Sequence, residues 1–332
     1  MLKNNSPIFI GGLDRCGKTL LRALLVSHPH IAIPEIGSNY WTFFYQRYGK
    51  LAQEQNFESC LSDMQNYTHV SLLNPNMARI RRDFWEGEPT YERLFALFNQ
   101  QYAEQQGKPR WGDQTGLIER YADQVFAAYP GSKMLHLIRD PRDRYEASLA
   151  KHPNGMGGVG GATARWLLTT HQAKRNCDRY PDRYKIVQYE TLVREPEHTL
   201  REVCAFLDED FSTDMLEMEG APEFRDKILR GAYGKVGSSL ITTSFIGRYK
   251  QSVPKEEIAF MQTLAGKKMR VYGYKMEDIH FSTAEWIKYF SKTYPDNWMR
   301  MTTWLTMEKV QRYFPAQFGR TPPRDKIRLV SA

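Results

Sequence analysis

The stretch that most constrains this chain is PIFIGGLDRCGKTLLRALLVSHPHIAIPE, residues 7–35. PIFIGG is a short apolar run closing on glycines, and KTLLRALLVSH continues with helical periodicity, so the segment reads strand, tight loop, helix. Gly12 to Thr19, GLDRCGKT, satisfies the phosphate-loop pattern G-x-x-x-x-G-K-[ST]. A loop in that context turns several backbone N–H groups toward the positive end of the helix dipole. Gly12 and Gly17 permit the turn, Lys18 adds charge, and the Thr19 hydroxyl can bond a phosphate oxygen. The pattern therefore predicts an anion site. Arg15 inside the loop and the HPHIAIPE tail point to a protein that holds a nucleotide and moves something other than phosphate.

Beyond the loop, strand and helix signals alternate. HIAIPE reads as a second short strand. Residues 38–108 turn polar and aromatic, with helix-like segments such as YERLFALFNQQYAEQQ, and are expected to form a helical insertion. IERYADQVFAAYP is an amphipathic helix, KMLHLI a buried strand, RYKIVQYE a further strand and EPEHTLREVCAFL another helix. Such alternation predicts an α/β fold of three layers, with a central parallel sheet covered on both faces. Residues 1–275 are expected to form one domain that includes the insertion. Residues 276–332, rich in aromatics, are expected to be a helical extension packed on that domain and not a membrane anchor.

A net charge of +8 suits an anionic ligand. Lys and Arg are spread without long runs, so nucleic acid is not the expected partner. No apolar run reaches the length of a membrane span. The first strand begins at Pro7, which leaves no room for a signal peptide, so the cytoplasm is the expected compartment. Cys16, Cys60, Cys177 and Cys204 show neither C-x-x-C pairing nor metal spacing and read as reduced thiols. Cys16 is expected to serve the loop as a small residue. No metal site is expected.

A phosphotransferase also needs a metal-holding carboxylate at a neighbouring strand end. The candidates are Asp140, which follows Arg139 after KMLHLI, and Glu190, which follows Tyr189. Neither has the setting of a Mg²⁺ ligand. Arg139, Arg142 and Arg144 crowd instead where a strand ends and a helix begins. At the carboxyl end of a parallel strand, arginines suit a second phosphate remote from the first loop. A ligand with phosphates at two separated positions is unlike ATP.

GGLDRCGKTLLRALLVSHPHIAIPE, WGDQTG, HLIRDPRDRYEASL, VQYETLVREPEHTLREVCAFL and GKVGSSLITTSFIGRYK resemble, in order, segments of the PAPS-dependent sulfotransferase family. PAPS is 3′-phosphoadenosine-5′-phosphosulfate. The resemblance spans roughly residues 7 to 275 and is closest to bacterial members and to the carbohydrate and protein-tyrosine branches. It implies a P-loop-like fold and transfer of a sulfuryl group from PAPS to an acceptor hydroxyl, with PAP (3′-phosphoadenosine-5′-phosphate) as co-product. It also implies that Arg15, Cys16, Gly17, Lys18, Thr19 and Leu20 hold the 5′-phosphosulfate, with Arg15 opposite the leaving group. Arg139 and Ser148 would hold the 3′-phosphate from the strand end and the start of the following helix. Tyr189 would lie near the adenine, and Lys235 and Arg248 belong to a segment that closes around the nucleotide. Glu35 falls at the family's catalytic carboxylate. A positioned carboxylate can take the proton of an attacking hydroxyl, while Arg15, Lys18 and loop N–H groups stabilise the departing charge. No metal is required.

Three departures stand out. The family loop usually reads R-x-G-T-T or similar, so Lys18 is unusual. Gln114 stands where many relatives carry a lysine, and Lys18 can supply that charge. Arg139 and Ser148 are one residue further apart than the commonest spacing.

Two other readings stay open at this point: a P-loop kinase or other NTP-dependent transferase, favoured by Lys18-Thr19, and a non-catalytic nucleotide- or polyanion-binding protein. GMGGVG, residues 155–160, matches a dinucleotide fingerprint but does not follow a strand, and a mobile loop beside the site is expected instead. His30 and His136 are reserve bases. Trp111, Asp113 and Thr115 are expected to shape the wall between donor and acceptor. Tyr40, Trp41, Phe43, Phe44 and Trp85 can stack on sugar rings or line an apolar slot. The expected acceptor is a small molecule or glycan, with the family leaning towards a carbohydrate or other hydroxylated metabolite.

Overall fold

The computed structural model describes residues 6–149, 157–231, 240–314, 321–322 and 326–327. Five strands form one parallel sheet in the order β2-β3-β1-β4-β5. They are β1 (Ile8–Gly12), β2 (Ile31–Ala32), β3 (Arg110–Gln114), β4 (Lys133–Ile138) and β5 (Tyr184–Gln188). Parallel neighbours need crossover connections, and helices fill each one. After β1 comes α1 (Lys18–Val26). Between β2 and β3 the insertion contributes α2 (Glu54–Asn66), α3 (Met77–Trp85) and α4 (Tyr91–Gln105). α5 (Ala122–Ala128) leads to β4, and α6 (Pro141–Leu149) and α7 (Gly158–Arg179) lead to β5. Beyond β5 lie α8 (Tyr189–Arg194), α9 (Pro196–Leu207), α10 (Pro222–Leu229), α11 (Lys255–Val271) and α12 (Tyr294–Tyr313). Among the described residues no helix is long and apolar enough to cross a membrane.

The layers follow from side-chain alternation along the central strand. Phe9 faces the insertion, its ring 5.9 Å from those of Trp111 and Tyr129 and 6.2 Å from Phe95. Ile8 and Ile10 point the other way, into a core shared with Leu21 and Leu24 of α1 and Leu200 and Val203 of α9. All three strand residues are fully buried, and burial of side chains this size stabilises by roughly 1.5–3 kcal/mol each.

Tyr40, Trp41 and Phe44 are buried in the aromatic core that the insertion shares with the sheet face around Phe9, and exposed Trp85 packs one side against Phe57 and Phe84. Three of the five aromatics offered to a ligand, Tyr40, Trp41 and Phe44, are therefore structural, because the insertion buries a face against the sheet; Phe43 stays partly exposed and Trp85 exposed. Trp111 is likewise spent on the cluster around Phe9.

The glycine-rich stretch is also reassigned. Its described part does not form a loop beyond Gly157: α7 begins at Gly158. A Cβ on Gly160 would lie 2.0 Å from the Asn297 carbonyl oxygen, and the Gly160 N–H donates to Asn297 Oδ1 at 3.3 Å. Glycine is there so that α12 can cross α7 almost backbone to backbone. An ion pair between Arg120 and Glu308 fixes α12 further along.

Strand direction puts the connections after β1, β3, β4 and β5 on one edge of the sheet. Ligands of open parallel sheets bind outside these carboxyl ends.

Candidate active site

The loop after β1 is held in a shape that side chains resist. Gly12, Arg15 and Gly17 have φ of 113°, 62° and 102°. A Cβ on Gly12 would stand 2.4 Å from the Leu137 carbonyl oxygen, and one on Gly17 would stand 2.5 Å from Tyr189 Cδ2. Gly17 starts α1, and no side chain caps that helix end, which leaves its first turn to an anion. Thr19 is exposed on that turn and Leu20 packs partly into the core below. Cys16 is buried, and burial pushes its thiol up, so it acts as a small packed residue. Lys18 Nζ donates to the Gly12 and Leu13 carbonyls at 2.6 and 2.7 Å. Its charge thus lies over the loop it belongs to. The Arg15 carbonyl accepts from Arg139 Nη1 at 3.1 Å, while its own guanidinium makes no ion pair among the described residues.

Two supports beneath the loop have no sequence signature. The Gly12 N–H donates to Glu119 Oε2 at 3.2 Å, and Thr169 Oγ1 donates to Glu119 Oε1 at 2.6 Å. Glu119 is fully buried. Burial works to raise its pKa, but His136 and these hydrogen bonds hold it below the usual carboxylate range. Asp14 is clamped by Arg144, whose Nε donates to its carbonyl at 3.0 Å and whose Nη2 lies 2.5 Å from Oδ1. Burial favours the neutral acid, yet Arg144, with Lys18 and Arg165 behind it, brings the Asp14 carboxyl down to about 2.

The second arginine group divides. Arg144 serves Asp14, and Arg142 is held by both oxygens of Asp140 at 3.0 and 2.6 Å. Neither is open to a second phosphate, contrary to the reading of all three as a cluster for one. Arg139 differs. Its Nη1 and Nη2 donate to the carbonyls of Arg15 and Phe245, but its buried Nε has no partner among the described residues. Its guanidinium lies 4.5 Å from the centre of the Tyr189 ring, which in turn covers Gly17. Loop, arginine and tyrosine pack as one contiguous layer, in which Arg139 and Tyr189 are buried. Ser148 lies in the last turn of α6, partly exposed, and not at the helix start. Arg248 is exposed and 3.6 Å from Glu146. Lys235 falls outside the described residues.

Glu35 follows β2 on the same edge. Gln114 donates to its backbone carbonyl, and Lys227 Nζ lies 2.8 Å from its carboxylate. A hydrogen bond from Glu223, then Lys227, hold its pKa below the ordinary value. Asp113 is fully buried, accepting from the Ser38 N–H and the Thr115 hydroxyl, so it braces the strand end and does not face a ligand. The two histidines are displaced from the site. His30 precedes β2, at the amino edge of the sheet, and pairs with Glu209 at 2.9 Å. His136 is buried inside β4.

A cavity of about 1010 Å³ opens beside the loop and touches Leu13, Asp14 and Lys18. Glu35, Arg139 and Tyr189 are not part of its lining.

A parallel sheet with a phosphate-type loop after β1 and Arg139 after the neighbouring β4 defines a P-loop-like α/β protein. The model of the sulfotransferase family matches residues 7–213, well over half of the chain, and the chain belongs to that family. The protein-tyrosine sulfotransferase of Drosophila melanogaster is 25% identical over 219 residues, 64% of this chain and 40% of that protein. The chain thus spans less than half the length of this relative. The sulfotransferase domain of the Synechococcus olefin synthase superposes with a TM-score of 0.54 at 18% identity, covering 82% of this chain and 98% of that one. The sulfotransferase domain of the curacin biosynthetic pathway gives 0.51 at 18% identity, with 83% and 100% covered. Both likenesses concern the fold. The family match ends before α10, α11 and α12, and before Lys235 and Arg248.

Proposed function

We propose that the protein transfers the sulfuryl group of PAPS to an acceptor hydroxyl and releases PAP. The observation that carries this reading is the contiguous packing of the uncapped loop, Arg139 and Tyr189, with the buried Arg139 Nε left without a partner among the described residues. It offers two anion contacts separated by an aromatic ring, which suits a nucleotide phosphorylated at both its 5′ and 3′ positions. Arg15, Cys16, Gly17, Lys18, Thr19 and Leu20 hold the 5′ end through backbone N–H groups and the two cations. Arg139 holds the 3′-phosphate, with Ser148 and Arg248 as candidates to complete that contact.

In the step itself, the acceptor oxygen forms a bond to sulfur as the bond from sulfur to the bridging phosphate oxygen breaks. The electron pair of that bond leaves with PAP, and the hydroxyl proton passes to the Glu35 carboxylate. Lys18 and Arg15 stabilise the charge that develops on the bridging oxygen. Lys18 must exchange the Gly12 and Leu13 carbonyls for the ligand. Glu35 must likewise loosen its contact with Lys227, since a carboxylate held low by a lysine is a weak base. The residues named carry the step without a metal ion.

The test is thermal stabilisation of the purified protein by PAP, ATP and GTP, each with and without Mg²⁺. A ligand that binds only the folded state raises the melting temperature by mass action. A shift with PAP alone, independent of metal, is the expected result. A shift with ATP or GTP that requires Mg²⁺, and none with PAP, would overturn the reading in favour of an NTP-dependent transferase.

A further inference from the structure

We infer that the acceptor is an alcohol with a bulky apolar body, and that the C-terminal helix α12 is the wall that selects it. This rests on the sulfuryl-transfer reading above. It narrows the acceptor away from the carbohydrate that the sequence resemblance favours.

The cavity beside the loop holds about 1010 Å³, at the upper end of the roughly 300–1,000 Å³ of small-molecule sites. At one end stand Asp14 and Lys18, where the donor's reactive end would lie. Away from them most of the open surface is apolar, from Leu13 and Leu117 after β1 and β3, Phe43 of the insertion, and Met299, Trp304 and Met307 of α12, with Asn39, Thr42, Arg300, Thr303 and Gln311 set between them. Met299 and Met307 are 61% and 56% exposed, although neighbours on the same helix, Asn297 and Glu308, are buried. Their apolar surface is open to whatever fills the space.

The charged groups around the cavity are largely spent on the protein. Asp14 pairs with Arg144, Glu308 with Arg120, and Arg165 lies over the Trp304 ring at 5.8 Å. A sugar set against the Met299, Trp304 and Met307 side would leave hydroxyls facing carbon and sulfur, a costly arrangement that the few polar groups, Asn39, Thr42, Thr303 and Gln311, offset only in part. A ring or chain with one hydroxyl would set its apolar body against the methionines, whose flexible side chains adapt to irregular shapes, and its hydroxyl towards Lys18. The selecting wall also lies beyond the family match at 7–213.

The experiment titrates 2-naphthol, 1-decanol and methyl glucoside into the full chain by calorimetry, with and without PAP, and then follows transfer of label from [³⁵S]PAPS to each. Met307→Asp is the test variant, chosen because that position is exposed enough to accept a carboxylate without unfolding. The two apolar alcohols are expected to bind and to become labelled, and methyl glucoside to do neither. Met307→Asp should weaken apolar binding at least tenfold while stabilisation by PAP is unchanged. Label moving to methyl glucoside and not to the apolar alcohols would overturn the inference and leave the sulfuryl-transfer reading intact. Apolar binding that Met307→Asp does not affect, or no apolar binding at all, would overturn it too. If PAP gives no stabilisation but naphthol binds in a Met307-dependent way, the donor reading fails alone and the apolar wall stands.

Discussion

The loop at Gly12–Thr19 and the helix α12 border the same cavity, yet they are fixed in place by different means. The loop is over-determined. Its Gly12 N–H is tied to buried Glu119, its Asp14 to buried Arg144 and its Arg15 carbonyl to Arg139, and two of its turns admit only glycine. The helix crosses α7 closely at Gly160, pairs Glu308 with Arg120 and packs Tyr294 and Trp304 against Phe260 and Arg165, with several large apolar side chains left exposed. Chemistry that tolerates little misplacement sits on strand ends supported by a second layer of contacts. Selection of an acceptor tolerates more, and we assign it to an element that can change without disturbing the sheet.

If that division is right, changes on the sheet edge should cost turnover or donor affinity, and changes on α12 should cost neither donor binding nor the fold. Glu35→Gln is expected to have the largest effect, lowering kcat by about 10²- to 10⁴-fold while PAP still raises the melting temperature. An unchanged kcat would move the base elsewhere. Lys227→Ala sharpens the point: it removes one of the groups holding Glu35 low, so the acidic limb of the kcat/KM profile should move to higher pH. Next, Lys18→Ala should cost about 10²- to 10³-fold in turnover and Gln114→Ala less than about tenfold, if Lys18 has taken over the charge that many relatives place at the second position. The reverse ranking would return that role to Gln114. Arg139→Ala should then weaken PAP by roughly 10- to 150-fold, the worth of a charged hydrogen bond, and AMP hardly at all. Equal weakening of both would mean that Arg139 acts only by holding the Arg15 and Phe245 carbonyls.

The same division explains what could be read from the residues alone. β1, the loop and α1 are legible because a short apolar run, glycines at turn positions and helical spacing are local signals, and β4 and β5 share them. β3 is not, because RWGDQ alternates nothing. It is buried only because Arg110 finds Glu209 and the Ser6 and Leu207 carbonyls, and Asp113 finds Ser38 and Thr115. Glu119 and Arg144, the supports of the loop, come from positions over a hundred residues away, and no spacing rule connects them to it. The glycine-rich stretch misleads for a related reason: close helix packing and ligand binding both require a missing Cβ, and only the partner, Asn297, tells them apart.

Gly160→Leu acts on that crossing. Overpacking of this kind costs typically about 1–3 kcal/mol, so the melting temperature should fall and acceptor turnover with it, while PAP stabilisation persists in the remaining folded protein. Loss of PAP binding together with acceptor turnover would mean that the two walls are not independent.

The smallest effect concerns acid. Thr169 Oγ1 gives its proton to Glu119, so at its 3.0 Å contact with His136 it must accept from Nε2–H. Nδ1 is then left to accept from the Tyr184 hydroxyl. The neutral Nε2–H tautomer therefore satisfies every atom, and burial holds the His136 pKa below its ordinary 6.5. A base whose folded pKa is lowered binds its proton more readily in the unfolded chain, so stability should be constant well above 6.5 and decline as pH falls below it. His136→Asn should flatten that slope in a series of melting temperatures from pH 8 to pH 5, by this rule.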